Sequence, residues 1–157
     1  MRTIVIGLGN PVRSDDGVGL AVARTLQARL PRQSNVDVVE LWAGGLRLVE
    51  AMVGYDRAVV VDAMATGQAP PGTLRRLGVL DLGRAKNITC VHDTSLPTAL
   101  ELWRLAEIPV PAQISIWGIE GQDLDTLGED LTPQVLGAVD LAANAILDEL
   151  EVARRSA

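Results

Sequence analysis

Three side chains suited to metal binding lie in or beside loops that follow predicted strands. Asp16 follows the first predicted strand, Asp62 stands near the end of the third, and His92 lies in the loop before the third predicted helix. In open α/β sheets the loops after the carboxyl ends of the strands face one crevice, where ligands usually bind. Two carboxylates and a neutral imidazole suit a borderline divalent ion such as nickel or zinc, and three ligands leave positions open for water or substrate. The pattern favours a metal-dependent site, although its spacing alone is not a specific metal signature.

Each of the three residues also has a structural explanation. Asp15 or Asp16 would cap a helix that starts near Gly17 by accepting free backbone N–H groups. Asp62 would likewise cap a helix or hydrogen-bond a neighbouring loop, and a single histidine such as His92 is more often structural than a ligand. The functional interpretation is preferred because three independent elements deliver these groups to one predicted edge.

Two other chemical interpretations of the same segments stay open on the sequence alone. The run from Gly7 to Val12 begins like a dinucleotide-binding fingerprint, but Val12 stands where the third glycine is needed for close helix packing. Its glycines instead favour a sharp loop that brings backbone N–H groups near the crevice. Cys90 and His92 are two apart, so an extended chain would place a thiol and an imidazole base on one side. A buried, inert thiol fits the strand-like setting of Cys90 better.

Alternating strands and helices must position these residues. The predicted strands are Thr3–Gly9, Val36–Trp42, Arg57–Met64, Thr73–Leu80 and Gln113–Ile119. The predicted helices are Gly17–Leu30, Leu46–Val53, one that is capped by Thr94 or Ser95 and runs to about Ala106, and one that starts at Thr132-Pro133. Strands that alternate with helices imply crossover connections and a mostly parallel, twisted sheet covered on both faces. We therefore predict an α/β fold, a three-layer α/β/α domain of the phosphorylase/hydrolase-like type, formed as a single domain by residues 1–157.

The overall composition argues against several classes of function. The formal net charge of −6 opposes sequence-independent binding to phosphate backbones, which depends on clustered Lys and Arg. No apolar run approaches the roughly 18 residues needed to span a membrane, and the first ten residues lack the features of a secretory signal. The single cysteine, Cys90, cannot form an internal disulfide, which favours the reducing cytoplasm. We expect a cytoplasmic, monomeric enzyme without nucleic-acid or membrane partners.

Five sequence blocks carry a resemblance to one family. They are GLGNPVRSDDGVG at residues 7–19, VVVDAMATG at 59–67, HDTSLPTALEL at 92–102, GIEGQDL at 118–124 and LTPQV at 131–135. Their content and order resemble the hydrogenase maturation proteases over nearly the whole chain, and the first block is the most specific. The resemblance implies an endopeptidase, of aspartic type by family classification. It would remove a short C-terminal peptide from the precursor of the nickel-iron hydrogenase large subunit after nickel has been inserted.

The same resemblance implies roles for the three site residues. The family's two acidic metal-binding positions fall on Asp16 and Asp62, and its histidine falls on His92. These residues would recognise nickel that arrives already bound to the precursor, so the enzyme would hold no metal of its own. Asp16 or Asp62 would also position or deprotonate the attacking water, while the ion and loop amides polarise the scissile carbonyl. The chain has no duplicated Asp-Thr-Gly pair of the pepsin type, so the role of each carboxylate stays open.

The chain departs from the family pattern at two places. The run Ala43-Gly44-Gly45-Leu46 replaces an Asp-Gly-Gly-Thr motif of many members, and Gly121 follows Glu120 where a proline is common. These changes leave open which hydrogenase is processed. Peptidyl-tRNA hydrolases also open with a GLGNP-like loop, but that family has a histidine in a basic segment where this chain has the acidic residues 14–17. A non-catalytic metal-binding assembly chaperone would keep all three site residues.

Overall fold

The computed structural model describes residues 1–31, 34–42, 44–78 and 96–155. Within them the centre is a five-stranded sheet in the order β2-β1-β3-β5-β4. The strands are β1 (Thr3–Leu8), β2 (Val36–Leu41), β3 (Arg57–Met64), β4 (Leu74–Leu77) and β5 (Gln113–Glu120). The pairs β2–β1, β1–β3 and β3–β5 are parallel, and β4 is antiparallel to β5. Parallel pairing aligns the carboxyl ends of four strands, and we call this side of the sheet the carboxyl edge.

Helices cover the sheet on both faces. They are α1 (Val18–Arg29), α2 (Leu46–Met52), α3 (Leu96–Leu105) and α4 (Pro133–Arg155), and a 3₁₀ turn (Ser14–Gly17) precedes α1. Helices α1 and α4 pack on one face and bury side chains such as Leu26 and Ile146. Helices α2 and α3 pack on the other face and bury side chains such as Met52 and Leu100. The predicted three-layer α/β/α arrangement around a mostly parallel sheet is confirmed.

The central strand β3 separates the two layers of the core. All eight of its residues are buried, as expected for a parallel strand that helices cover on both sides. Val59 and Val61 belong to the core under α1 and α4, whereas Val60 and Met64 belong to the core under α2 and α3. Since side chains alternate along a strand, Asp62 faces the layer of α2 and α3.

Two glycines of the first sequence block allow α1 to start directly against the sheet. A Cβ atom on Gly19 would lie 2.2 Å from the carbonyl oxygen of Leu8 and 2.4 Å from that of Val61. A Cβ atom on Gly7 would lie 2.3 Å from the carbonyl oxygen of Gly19. Neither position has space for a methyl group in a close-packed interior. The start of α1 is therefore held against the carboxyl ends of β1 and β3.

The predicted elements differ from the structure mainly at their ends. Helix α1 begins at Val18 rather than Gly17, because residues 14–17 form the 3₁₀ turn. Strand β4 begins at Leu74, and the predicted end of this strand at Leu80 lies outside the described residues. The predicted cap of α3 lies outside them as well. Within the described ranges, no helix combines the length and the apolar character that crossing a bilayer requires.

Candidate active site

The 3₁₀ turn holds Asp16 at the carboxyl edge. Asp16 is 2% exposed, and its backbone N–H donates to the carbonyl oxygen of Arg13 at 2.9 Å. The carbonyl oxygen of Asp16 accepts the N–H of Asn10 at 3.3 Å. Ser14 starts the turn with a φ of 40°, in the left-handed region, a conformation that costs about 1–3 kcal/mol outside glycine. Tertiary contacts must hold this turn in place, and with it the backbone of Asp16.

Asp62 lies in β3, two residues before the strand ends, and is fully buried. Its Oδ1 atom accepts the N–H of Ala63 at 2.8 Å. Burying an ionised carboxylate is costly unless it is hydrogen-bonded, paired or bound to a metal ion. A carboxylate at this depth therefore needs polar partners, and the N–H of Ala63 is one of them.

The structure places both aspartates at the carboxyl edge. Gly19, three residues after Asp16, packs against the carbonyl group of Val61, the residue before Asp62. The 3₁₀ turn and the end of β3 are therefore neighbours, as the order of the elements in the sequence predicts for loops after adjacent parallel strands.

His92 and Cys90 lie outside the described residues. Leu96, four residues after His92 in the sequence, is fully buried in the core between the sheet and α2–α3, the layer that Asp62 faces. The described residues contain no group of three or more His, Cys, Asp and Glu side chains that could hold a metal ion. Asp16 and Asp62 are thus the two members of the predicted ligand set that the structure describes.

Asp15, the neighbour of Asp16, is a structural brace. Its side chain is fully buried and accepts the N–H groups of Gln122 and Asp123, both at 2.9 Å. It also accepts the N–H of Thr132 at 2.7 Å and the hydroxyl of Thr132 at 2.9 Å. Four donors from both ends of the segment between β5 and α4 therefore converge on one carboxylate.

The alternative explanation, in which Asp15 or Asp16 caps α1, is wrong. The cap residue of α1 is Gly17, and no side chain hydrogen-bonds to that helix start. The intervening 3₁₀ turn shifts the start of α1 to Val18. Asp15 satisfies backbone donors of a distant loop instead of those of the next helix.

Glu120, the last residue of β5, is a second brace at the same edge and is 2% exposed. Its Oε1 accepts the N–H groups of Thr66 and Gly67 at 2.8 and 2.7 Å, and its Oε2 accepts the hydroxyl of Thr66 at 2.7 Å. These bonds tie the loop after β3 to the end of β5. No role was predicted for Glu120, although a glutamate at the end of an apolar strand is the available signal.

The loop amides expected to face the crevice are used within the protein. The N–H of Gly9 donates to the carbonyl oxygen of Leu41 at 3.2 Å, and that of Asn10 donates to Asp16. The N–H of Val12 donates to the side chain of Asn10 at 3.1 Å. The four amides from residue 13 to residue 16 also donate to carbonyl oxygens. In this conformation the N–H groups of residues 9, 10 and 12–16 are therefore already hydrogen-bonded within the protein.

Comparisons with known proteins identify the family. A sequence model described as hydrogenase maturation protease matches residues 20–149. This chain belongs to that family. A hydrogenase expression/formation protein HupD from Thiocapsa roseopersicina is 30% identical over 97% of this chain and 71% of its own length. The hydrogenase 2 maturation protease of Escherichia coli is 24% identical over 96% of this chain and 91% of its own length.

Solved structures of maturation proteases share the fold. The hydrogenase maturating endopeptidase HybD from Escherichia coli superposes with a TM-score of 0.82 at 23% identity, covering 98% of this chain and 94% of HybD. The maturation protease HybD from Thermococcus kodakarensis gives 0.69 at 24% identity, covering 96% and 99%. The predicted family and endopeptidase class of this hydrogenase maturation protease are confirmed. Family membership does not favour a peptidyl-tRNA hydrolase.

Proposed function

We propose that this maturation protease removes the C-terminal extension of a nickel-iron hydrogenase large-subunit precursor after nickel insertion. The observation that carries the proposal is a family match over residues 20–149 in a chain that places Asp16 and Asp62 at one sheet edge. The acting site would be Asp16, Asp62 and His92. The enzyme would work in the cytoplasm as a monomer, which the lone Cys90 and the acidic net charge support.

Nickel in this proposal is part of the substrate. Two carboxylates and an imidazole give a borderline divalent ion only three protein ligands, which leaves room for ligands from the precursor. Weak coordination by the enzyme adds affinity only when the precursor carries the ion. Cleavage is thereby coupled to successful nickel insertion, because the empty precursor lacks the group that the site recognises.

The described hydrogen bonds bear on which groups are available to act on the scissile peptide bond. Since the N–H groups of residues 9, 10 and 12–16 already donate within the protein, polarisation of the scissile carbonyl would fall mainly to the ion that the precursor brings. Asp16 or Asp62 would position the attacking water and accept its proton. Asp15 is excluded from this role because four protein donors already occupy its carboxylate.

The test is cleavage of a purified, nickel-loaded precursor, followed by mass spectrometry of the released peptide. We expect Asp16→Asn, Asp62→Asn and His92→Ala to reduce the cleavage rate at least about 100-fold. Circular dichroism should show that each variant stays folded. Asp140→Asn is the matched control, because Asp140 is an exposed acid on α4 whose side chain is 73% accessible.

Two outcomes would overturn parts of the proposal. Cleavage that survives both Asp16→Asn and His92→Ala would refute the site. Binding of the precursor by the wild-type protein without any cleavage would instead identify a non-catalytic assembly chaperone. A precursor prepared without nickel should stay uncut, and its cleavage at the same rate would refute the coupling to nickel insertion.

A further inference from the structure

Residues 121–131, which make up the segment between β5 and α4 except for Thr132, form a largely exposed loop that hydrogen bonds hold in place. Asp15 fixes its first turn at Gln122 and Asp123 and the following residue, Thr132. We call residues 121–131 the acidic loop. Loops usually lose conformational freedom on binding a partner, so a loop that is already braced binds at a lower entropic cost.

The middle of the acidic loop is hydrogen-bonded to the 3₁₀ turn and to Val12 just before it. The N–H of Gly128 donates to the carbonyl oxygen of Val12 at 3.1 Å, and the N–H of Ser14 donates to the carbonyl oxygen of Gly128 at 2.7 Å. The hydroxyl of Ser14 also donates to the carbonyl oxygen of Asp130 at 3.0 Å. The loop and the turn that carries Asp16 therefore form one rigid strip along the carboxyl edge.

Two apolar side chains are exposed on this strip. Leu127 is 79% exposed and Val12 is 48% exposed. Leu127 directly precedes Gly128, whose N–H donates to the carbonyl oxygen of Val12. Single exposed leucines are ordinary, but these two exposed apolar residues lie on hydrogen-bonded segments beside the proposed active site, and we take them as the apolar part of an interaction surface.

The charge around the apolar pair indicates the chemistry of its partner. The acidic loop contains Asp123, Asp125, Glu129 and Asp130 and has no Lys or Arg. Asp125, Glu129 and Asp130 are exposed. The strip also contains one basic residue beside the 3₁₀ turn, Arg13, and it is half-buried. Complementary charge favours a basic partner and suppresses acidic ones.

We propose that Val12, Leu127 and the acidic loop dock a segment of the hydrogenase precursor in which an apolar side chain is flanked by Lys or Arg. The inference rests on the proposed function, because it takes the partner to be the precursor. It goes beyond that function by assigning substrate selection to a surface separate from the metal-binding residues. Asp15 links the two, since it braces the loop and directly precedes Asp16.

The experiment measures KM and kcat on the nickel-loaded precursor for Leu127→Ser and for a charge variant, Asp125→Asn with Glu129→Gln. Loss of uniform binding raises KM and leaves kcat nearly unchanged. We expect KM to rise about tenfold for Leu127→Ser, as for an apolar contact at an interface centre. The charge variant should raise KM about three- to tenfold at low salt and converge with the wild type at high salt.

The matched control is Leu141→Ser. Leu141 is 62% exposed on α4, outside the strip, so this variant should keep the wild-type KM. A Leu127→Ser KM within twofold of the wild-type value would refute docking at this surface.

Binding can be separated from cleavage by titrating the precursor onto Asp16→Asn, with and without Leu127→Ser. Equal affinity of the two proteins overturns the docking surface even if the wild type cleaves normally. A tenfold loss of affinity supports the surface even if the wild type cuts nothing, in which case only the proposed protease function fails.

Discussion

Buried carboxylates are neutralised differently at the two edges of the sheet. Near the amino ends of β3 and β5, Glu149 of α4 forms ion pairs with Arg57 and Arg76. It also accepts the hydroxyl of Ser115 and the indole N–H of Trp117, both at 2.7 Å. We call this side of the sheet, with Arg57, Ser115 and Glu149, the amino edge, and it uses two guanidinium groups to satisfy one acid.

At the carboxyl edge, Asp15 and Glu120 have no Lys or Arg partner among the described residues. Backbone N–H groups and the hydroxyls of Thr66 and Thr132 satisfy them instead. Amide dipoles stabilise an anion without adding a full positive charge. Under the proposed function, this arrangement would leave the negative charge of the carboxyl edge available to a metal ion that the precursor carries.

The largest effect on stability is expected at the amino edge. Glu149→Gln leaves Arg57, whose side chain is only 7% exposed, without its charge partner. Removing one member of a buried pair costs about 3–5 kcal/mol. Urea unfolding should show this loss, while the kcat of the folded protein stays at the wild-type value because the ion pair is remote from Asp16 and Asp62.

Arg76→Gln is the control for that variant. Arg76 is 60% exposed, and an exposed pair contributes less than about 1 kcal/mol. If Glu149→Gln lowered the free energy of unfolding no more than Arg76→Gln does, the ion pairs of Glu149 would not stabilise the amino edge, and the proposed difference between the two edges would be wrong.

A smaller loss of stability, but a larger loss of activity, is expected at Asp15. Asp15→Asn keeps the size of the side chain and replaces one acceptor oxygen with a donor that meets backbone N–H groups. Losing hydrogen bonds to a buried charged acceptor costs about 2–4 kcal/mol. Unlike Glu149→Gln, this variant should also lower kcat, because the turn that carries Asp16 loses its brace. Hydrogen exchange at Gln122 and Asp123 should become faster.

Thr132→Val separates the contribution of the Thr132 hydroxyl from that of the Thr132 backbone N–H, which both donate to Asp15. It removes the hydroxyl donor to Asp15 and keeps the backbone donor, so it should cost about 1–2 kcal/mol. Unchanged exchange rates in Asp15→Asn would show that the acidic loop is held by other contacts.

The fold was predictable because its signals are local. Apolar β-branched runs, the glycines of residues 7–19 and the Thr132-Pro133 helix start each indicate an element without knowledge of its neighbours. The division of labour between Asp15 and Asp16 was not predictable. The two are adjacent and identical in type, and the partners that make Asp15 a brace lie 107 to 117 residues away. The role of Glu120 likewise depends on Thr66 and Gly67, 54 and 53 residues earlier.

Lowering the pH should reduce the contribution of Glu149 to the free energy of unfolding. Burial alone would raise the pKa of Glu149, but hydrogen bonds from Ser115 and Trp117 and the charges of Arg76 and Arg57 hold this pKa below the ordinary glutamate value. A group whose pKa is lower in the folded than in the unfolded protein stabilises the folded state when it is ionised. This stabilisation is fully present above the unfolded-state pKa of about 4.3, and it is lost as the pH falls through the folded-state pKa.

The difference in free energy of unfolding between the wild type and Glu149→Gln should therefore be constant above about pH 5 and should shrink as the pH falls through the lowered folded-state pKa of Glu149. Convergence is expected because a protonated Glu149 is neutral, like the glutamine that replaces it. The exposed pair of Arg29 and Asp140 is the control, and Asp140→Asn should differ little from the wild type at any pH. A difference between the wild type and Glu149→Gln that stays constant over the whole acid range in which both proteins remain folded would mean that hydrogen-bond geometry, rather than charge, makes Glu149 stabilising.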